Sequence, residues 1–290
     1  MSRRRGIVAS LLVVEALVVV TVVFIVWALR SPAATQALLL RLVQVSLLIF
    51  LAILFLRHFT LLWFAFLGHT ERNVMGDSEA REFPFISILV PAYNEGEVIE
   101  HALASLASLD YPQLEVLVID DGSTDDTLQR AAQWEGRHGN VEFRILTKRN
   151  GGKAAALNTG ISLAKHPFIF CMDADSRLES ATLRRAVKHF EDPSVGAVAG
   201  NVKVENRGKL LTKLQALEYI EGLNLPRRAQ GFVAAVNIVP GPVGLFRREA
   251  LVDVGGYDTD TFAEDADLTL KMVAAGWKAV YEDNAVAWTQ

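Results

Sequence analysis

The sequence predicts an α/β domain with a mainly parallel sheet, preceded by two transmembrane helices. Three observations lead there. From Phe85 onward, short β-branched and aromatic runs alternate with segments of helical spacing, the pattern of βαβ units. Two of those runs end in carboxylate clusters: Leu117-Val118-Ile119 in Asp120-Asp121-Gly122-Ser123, and Phe168-Ile169-Phe170-Cys171-Met172 in Asp173-Ala174-Asp175. The first quarter of the chain, by contrast, holds long apolar stretches broken by few charges.

Residues 1–70 form the expected membrane region. Residues 6–29 are apolar except for Glu15 and a few small polar residues. At about 1.5 Å per residue this stretch crosses a hydrocarbon layer of about 30 Å, and it is too long for a signal-peptide core. Glu15 is unfavourable in lipid and is expected to face a neighbouring helix, to snorkel or to be protonated. Ser31-Pro32 makes a break, and the second span covers about residues 37–56. The apolar stretch from Phe59 to Leu67 reads as an extension of that helix or as an interfacial segment. Arg3-Arg4-Arg5 precede the first span and Arg57, Arg72 and Arg81 follow the second, with only Arg30 between them. Positive residues stay inside, so both ends are expected in the cytoplasm and the hairpin from Arg30 to Gln36 outside. Residues 71–82, with Gly76-Asp77-Ser78, read as a linker, and residues 83–290 as the soluble domain.

In that domain the expected strands are Phe85 to Val90, Leu114 to Ile119, Val141 to Leu146, Phe168 to Met172 and Val243 to Phe246. The expected helices are Glu95 to Ser108, Thr127 to Trp134, Lys153 to Ala164, Leu210 to Leu225 up to a break at Pro226, and Asp265 to Ala275. The net charge of −4 argues against a nucleic-acid partner. Cys171 is the single cysteine, which excludes an internal disulfide; it reads as a small buried core residue.

In a parallel sheet the carboxyl ends of the strands face one crevice. Pro91-Ala92-Tyr93-Asn94-Glu95 closes the first strand there, and its exposed aromatic suits a stacked base, although Asn94 also fits a plain N-cap. Asp120 and Asp121 exceed what capping of the next helix requires; one of them can accept a hydrogen bond from a base or a ribose. Asn150-Gly151-Gly152-Lys153 opens a helix, where glycines permit close approach and the helix N-terminus favours phosphate. It is not a Walker sequence, which disfavours a P-loop hydrolase. Asp173 and Asp175 lie on the same side of an extended segment and can share Mg²⁺ or Mn²⁺ with a diphosphate. Glu264-Asp265-Ala266-Asp267 opens a helix with more acid than dipole compensation needs, and one of these acids fits a general base.

Taken in order, these motifs resemble the family 2 inverting glycosyltransferases of GT-A fold. Two amino-terminal membrane helices and Gly241-Pro242-Val243-Gly244-Leu245-Phe246-Arg247-Arg248 before Glu264-Asp265 are most similar to the bacterial membrane synthases of poly-β-1,6-N-acetylglucosamine. The resemblance covers about Phe85 to Gln290. It implies a UDP-sugar donor, carrying N-acetylglucosamine, and a growing β-linked polysaccharide as acceptor, with inversion at the sugar. It implies that Pro91, Tyr93, Glu95, Asp121, Lys153, Asp173 and Glu264 bind substrate, that Asp175 binds Mg²⁺ or Mn²⁺, and that Asp265 is the catalytic base. Tyr93 would lie against the uracil and Asp121 would bind it. The enzyme would be multi-pass in the bacterial inner membrane, with the catalytic domain cytoplasmic and export or accessory subunits as partners. Processive members carry a Gln-x-x-Arg-Trp motif and further membrane helices beyond the Glu-Asp helix. The sequence in hand ends at Gln290 and so reads as an incomplete synthase. Transfer to a lipid acceptor, and a catalytically incomplete scaffold subunit, stay open as alternatives.

Overall fold

The computed structural model describes residues 32–75, 82–205, 210–218, 224–233, 235–261 and 263–289, with Trp27, Arg30, Ala80 and Gly222. The chain divides into two compact units, residues 1–60 and 61–290.

The expected first span, with Glu15 and the leading arginines, lies outside the described residues. The second is part of helix α1 (Ala33–Met75), 43 residues long. Its portion Ala33–Gly68 is long and apolar enough to cross a membrane, and its most apolar stretch is not buried by the protein. The apolar segment after His58 is thus a continuation of this helix. The helix also runs through residues 71–75, which the sequence reading assigned to the linker. No proline falls between Pro32 and Pro84 to stop it, and Gly76 follows its last residue.

The rest is one sheet with helices on both faces. In chain order the elements are β1 (Ile86–Ala92), α2 (Ile99–Ala107), β2 (Leu114–Asp120), α3 (Thr127–Ala132), β3 (Gly136–His138) and β4 (Val141–Thr147). There follow α4 (Lys153–Leu163), β5 (Phe168–Cys171), β6 (Arg177–Leu178), α5 (Thr182–Val187), β7 (Val195–Val204), α6 (Leu210–Glu218) and α7 (Leu225–Phe232). The last are β8 (Gly244–Arg247), α8 (Arg248–Asp253), α9 (Glu264–Ala274) and β9 (Lys278–Thr289). The strand order is β3-β4-β2-β1-β5-β8-β7-β9-β6.

The mainly parallel sheet expected from the sequence is corrected to a mixed one. Strands β4, β2, β1 and β5 are parallel, as are β7 and β9. β8 runs antiparallel to both β5 and β7, and the edge strands β3 and β6 are antiparallel to their neighbours. The strands absent from the sequence reading are β3, β6, β7 and β9. β7 holds Gly196, Gly200 and Asn201, and β9 holds Glu282-Asp283-Asn284. These residues disfavour strands locally; here tertiary pairing, with register shifts along β7 and β9, overrides them. Of the predicted helix from Leu210 to Leu225, α6 covers Leu210–Glu218; Pro226 does not break a helix there but falls near the start of α7, where a missing N–H is harmless.

Alternation along the strands fills both faces. Ile86, Ile88 and Val90 pack with Val116, Val118 and Phe143 under α2, α3 and α5. Leu89, Leu117 and Ile119 pack with Phe246 under α4, α8 and α9. Each such fully buried side chain contributes about 1.5–3 kcal/mol relative to exposure. Cys171 is buried in the second of these layers.

Candidate active site

Strand register places the motifs. Ala92 of β1 pairs with Asp120 of β2, Asp120 with Thr147 of β4, and Leu89 of β1 with Cys171 of β5. Four neighbouring strands therefore release their loops at one edge. Between those loops lies a cavity of about 500 Å³ lined by Pro91, Tyr93, Glu95, Asp121, Asn150, Gly152, Lys153, Asp173 and Asp175. Tyr93 is 48% exposed at its mouth.

The loops are held by each other. Asn94 sits at φ 55°, a region that asparagine tolerates better than most residues. It does not cap a helix as the sequence allowed. Its side-chain oxygen accepts from the backbone N–H of Thr124 at 2.9 Å, and its own N–H donates to Ser123 Oγ at 3.0 Å. The Glu95 N–H donates to Thr127 Oγ1 and the Gly96 N–H to Asp125 Oδ2. Asp120 accepts from the Ser123 N–H and from Thr147 Oγ1.

Asp121 is 3% exposed and its carboxylate is occupied. Lys148 Nζ donates to Oδ1 at 2.6 Å, and the N–H groups of Gly151 and Gly152 reach Oδ2 at 3.0 and 2.7 Å. The glycine turn therefore points two amides at Asp121. Gly152 has φ 88°, which a residue with a Cβ adopts only with strain. Lys148 escaped the sequence reading; its signal was a cation just beyond the strand beside an acidic pair.

Lys153, the first residue of α4, joins the two sides of the site. Its Nζ is 2.6 Å from Asp173 Oδ1 and 3.9 Å from Glu264 Oε1. Burial pulls the Lys153 pKa down, but Asp173, Asp265 and Glu264 outweigh it and leave it raised. Asp265 lies in the first turn of α9. Its Oδ2 accepts from the Gly241 N–H at 2.8 Å, and its Oδ1 is buried with no hydrogen-bond partner among the described residues. Burial, reinforced by Asp173 and Glu264 against the pull of Lys153, raises Asp265 to about 6. Gly241 is a second residue whose position the sequence did not reveal. A Cβ there would stand 2.8 Å from Lys153 Nζ and 2.9 Å from Asp265 Oδ2, so a larger residue would displace these two side-chain ends.

The chemistry of the cavity suits a hard divalent cation. Burial and then Asp175, Asp125 and Asp173 raise Glu95, a sign of concentrated negative charge at the mouth. Among the described residues no group of three or more His, Cys, Asp or Glu side chains forms a ready-made metal cage. One or two carboxylates with substrate phosphates is the usual arrangement for Mg²⁺, and Asp173 and Asp175 fit it. Asp173 is engaged by Lys153, while Asp175 Oδ1 accepts from the Ser176 hydroxyl at 3.1 Å. All the expected site residues thus converge: Pro91, Tyr93, Glu95, Asp121, Lys153, Asp173 and Asp175 around the cavity, and Glu264 and Asp265 beside Lys153.

Comparison with known proteins assigns the fold. The sequence pattern of the family described as glycosyl transferase family 2 matches residues 87–255. The chain belongs to this family. It is 34% identical over 220 residues to a poly-β-1,6-N-acetyl-D-glucosamine synthase of Staphylococcus epidermidis, spanning 75% of this chain and 53% of that protein. The synthase of Staphylococcus aureus strain COL is 34% identical over 217 residues, 74% of this chain and 52% of that protein. The chain thus spans about half the length of these curated relatives. Among solved structures, a mannosyltransferase from Pyrobaculum calidifontis in complex with GDP-mannose and Mn²⁺ aligns with a TM-score of 0.63 at 30% identity, covering 73% of this chain and 58% of that one. TarS from S. aureus aligns at 0.54 and 21% identity, covering 71% of this chain and 60% of that one, a likeness of fold.

Proposed function

We propose that this chain is the donor-binding and catalytic part of a membrane glycosyltransferase. In this reading it transfers N-acetylglucosamine from its UDP derivative to a growing β-linked polysaccharide, with inversion. The identity to two poly-β-1,6-N-acetyl-D-glucosamine synthases supports the sugar and the product class. The observation that carries the chemistry is Asp265: one oxygen is held by the Gly241 amide and the other is buried and unpartnered.

Tyr93 offers its ring to the base at the cavity mouth. Asp121, filled by Lys148 and the glycine turn, acts on the nucleotide by fixing that turn and by orienting Lys148. Pro91 and Glu95 shape the same wall. Lys153 brings a fixed positive charge between the diphosphate side and Asp265; Asp173 holds it there, with Glu264 further off. Asp175, with Asp173 alongside, would hold Mg²⁺ or Mn²⁺. When bound, that ion would offset the negative charge gathering on the leaving diphosphate.

Asp265 takes the proton of the acceptor hydroxyl as its oxygen bonds to the anomeric carbon. The bond from that carbon to the diphosphate oxygen breaks, and its electron pair leaves with UDP. A single displacement from the opposite side converts an α donor into a β product. A raised pKa near 6 suits a base operating around neutrality. The apolar part of α1 supports anchorage in a cell membrane, with the domain on the cytoplasmic side, where the arginine distribution directs it.

The likeness to a mannosyltransferase bound to GDP-mannose favours a second donor reading. One experiment separates the two. Full-length protein in detergent, with Mg²⁺ or Mn²⁺, is given radiolabelled UDP-N-acetylglucosamine or GDP-mannose with a glycan primer. Label from the UDP donor entering a β-linked polymer is the expected result. Incorporation from GDP-mannose alone, or label recovered only in glycolipid, would overturn the donor or the acceptor respectively.

A further inference from the structure

A side chain outside the cavity ties the two halves of the site together. Asn158 lies on α4, five residues beyond Lys153, and faces the Gly255-Gly256-Tyr257 turn that leads to α9. Its Nδ2 donates to the Tyr257 carbonyl at 2.8 Å, and the Tyr257 N–H donates to its Oδ1 at 2.9 Å. The carboxamide therefore pairs with one backbone residue in both directions, as a strand neighbour would. The turn is shaped to receive it. Gly256 has φ 75°, and a Cβ there would stand 2.6 Å from Asn158 Oδ1.

Both partners are fixed to rigid parts. α4 lies tight against the sheet: a Cβ on Gly160 would meet Leu89 and Ile119 at 2.9 and 3.0 Å. The Tyr257 side chain is 3% exposed, and its hydroxyl reaches Cys171 Sγ at the end of β5, two residues before Asp173. Beyond the turn, Lys271 of α9 pairs with Asp258 at 2.5 Å. A continuous path of contacts thus runs from the helix that presents Lys153, through Asn158 and the 255–258 turn, to the helix that presents Asp265.

Resting on the sugar-transfer reading above, we propose that Asn158 is a positioning residue that sets the register of α9 against α4 and so holds Asp265 at its working distance from Lys153 and the donor. Asn158 does not touch the cavity. Its loss should therefore act on turnover and leave donor binding nearly intact. A misplacement of about 1 Å in a reacting group can lower a rate by about 10²-fold.

The test uses two variants that break the same pairing from opposite sides. Asn158→Ala removes the carboxamide, and Gly256→Ala pushes it away. In the full-length protein both are expected to lower kcat by about 10- to 100-fold with donor KM changed less than about two-fold. Adding Asn158→Ala to Asp265→Asn should lower turnover no further, because the positioned group is already gone. Hydrogen exchange gives a readout independent of activity. Both variants should speed exchange in segments 239–243 and 258–266 and leave 86–92 unchanged. Normal kcat in both variants, equal losses in kcat and donor affinity, or a further loss in the double variant would overturn the proposal. If the unmodified protein transfers no sugar, the functional reading fails, and the exchange comparison still decides the clamp: unchanged exchange at 239–243 and 258–266 rejects it.

Discussion

Two acids at opposite ends of the sheet, Glu115 buried and Asp265 half-buried, have opposite fates. Glu115, near the start of β2, is 1% exposed, yet it accepts from Ser87 Oγ at 2.7 Å, Arg144 at 2.7 Å and the Lys165 N–H at 3.2 Å. Burial pushes it up, but those donors outweigh burial and hold it below the usual glutamate range. Asp265, at the carboxyl end, has one amide donor and one bare oxygen, and it is raised to about 6. The sheet's amino end satisfies its charge completely and so gains stability. The carboxyl end leaves a charge incompletely satisfied, the property that the proposed role of Asp265 as base requires.

The largest blow to the carboxyl end short of the base itself should come from Gly241→Ala. The added methyl collides with Lys153 Nζ and Asp265 Oδ2. A loss of about 10²-fold in kcat is expected, at the scale of a displaced reacting group, and steady-state kinetics would measure it. Wild-type turnover would mean that the Gly241 amide does not hold the base. Asp175→Ala should weaken metal-dependent UDP binding by about 2 kcal/mol, the scale of a lost charge-assisted partner. Calorimetry with Mn²⁺ checks it, and equal affinities would remove Asp175 from the metal role.

At the amino end the effect should fall on stability alone. Glu115→Gln keeps the shape and removes the charge that Arg144 faces. Because Arg144 is partly exposed, about 1–2 kcal/mol of destabilisation is expected near pH 7, with turnover unchanged. The pH dependence has a fixed sign. A depressed carboxylate stabilises above its unfolded pKa, and that contribution is lost as pH falls through the folded value. The Glu115 variant should therefore lose its disadvantage in acid. Asp265 behaves the other way: its linked contribution is full below the unfolded value near 3.8 and is lost as pH rises through about 6. Asp265→Asn should raise Tm at pH 7 and match the parent protein near pH 4, a difference that a thermal scan can read.

The parallel half of the sheet and its loops were legible because each motif follows its own strand. The runs before Pro91, Asp120 and Asp173 announce themselves locally, and strand register then gathers Tyr93, Asp121, Lys153, Asp173 and Asp175. The second half was less so. β7 and β9 contain glycines and a Glu-Asp-Asn run, and they are strands because they pair with each other and with β8 and β6. The Gly241 amide meets Asp265 across 24 residues and Asn158 meets Tyr257 across 99, separations that no local pattern records. The filling of Asp121 by Lys148 and the glycine turn was hidden for the same reason.

The central claim is that Asp265 takes the acceptor proton. Asp265→Asn keeps an oxygen for the Gly241 amide and removes the base. Single-turnover transfer from UDP-N-acetylglucosamine, measured beside UDP affinity in the same protein, is the direct test. The prediction is a rate at least about 10²-fold lower with near-normal UDP binding. Transfer at the parent rate would contradict it and would move the base to another acid of the same turn, Glu264 or Asp267.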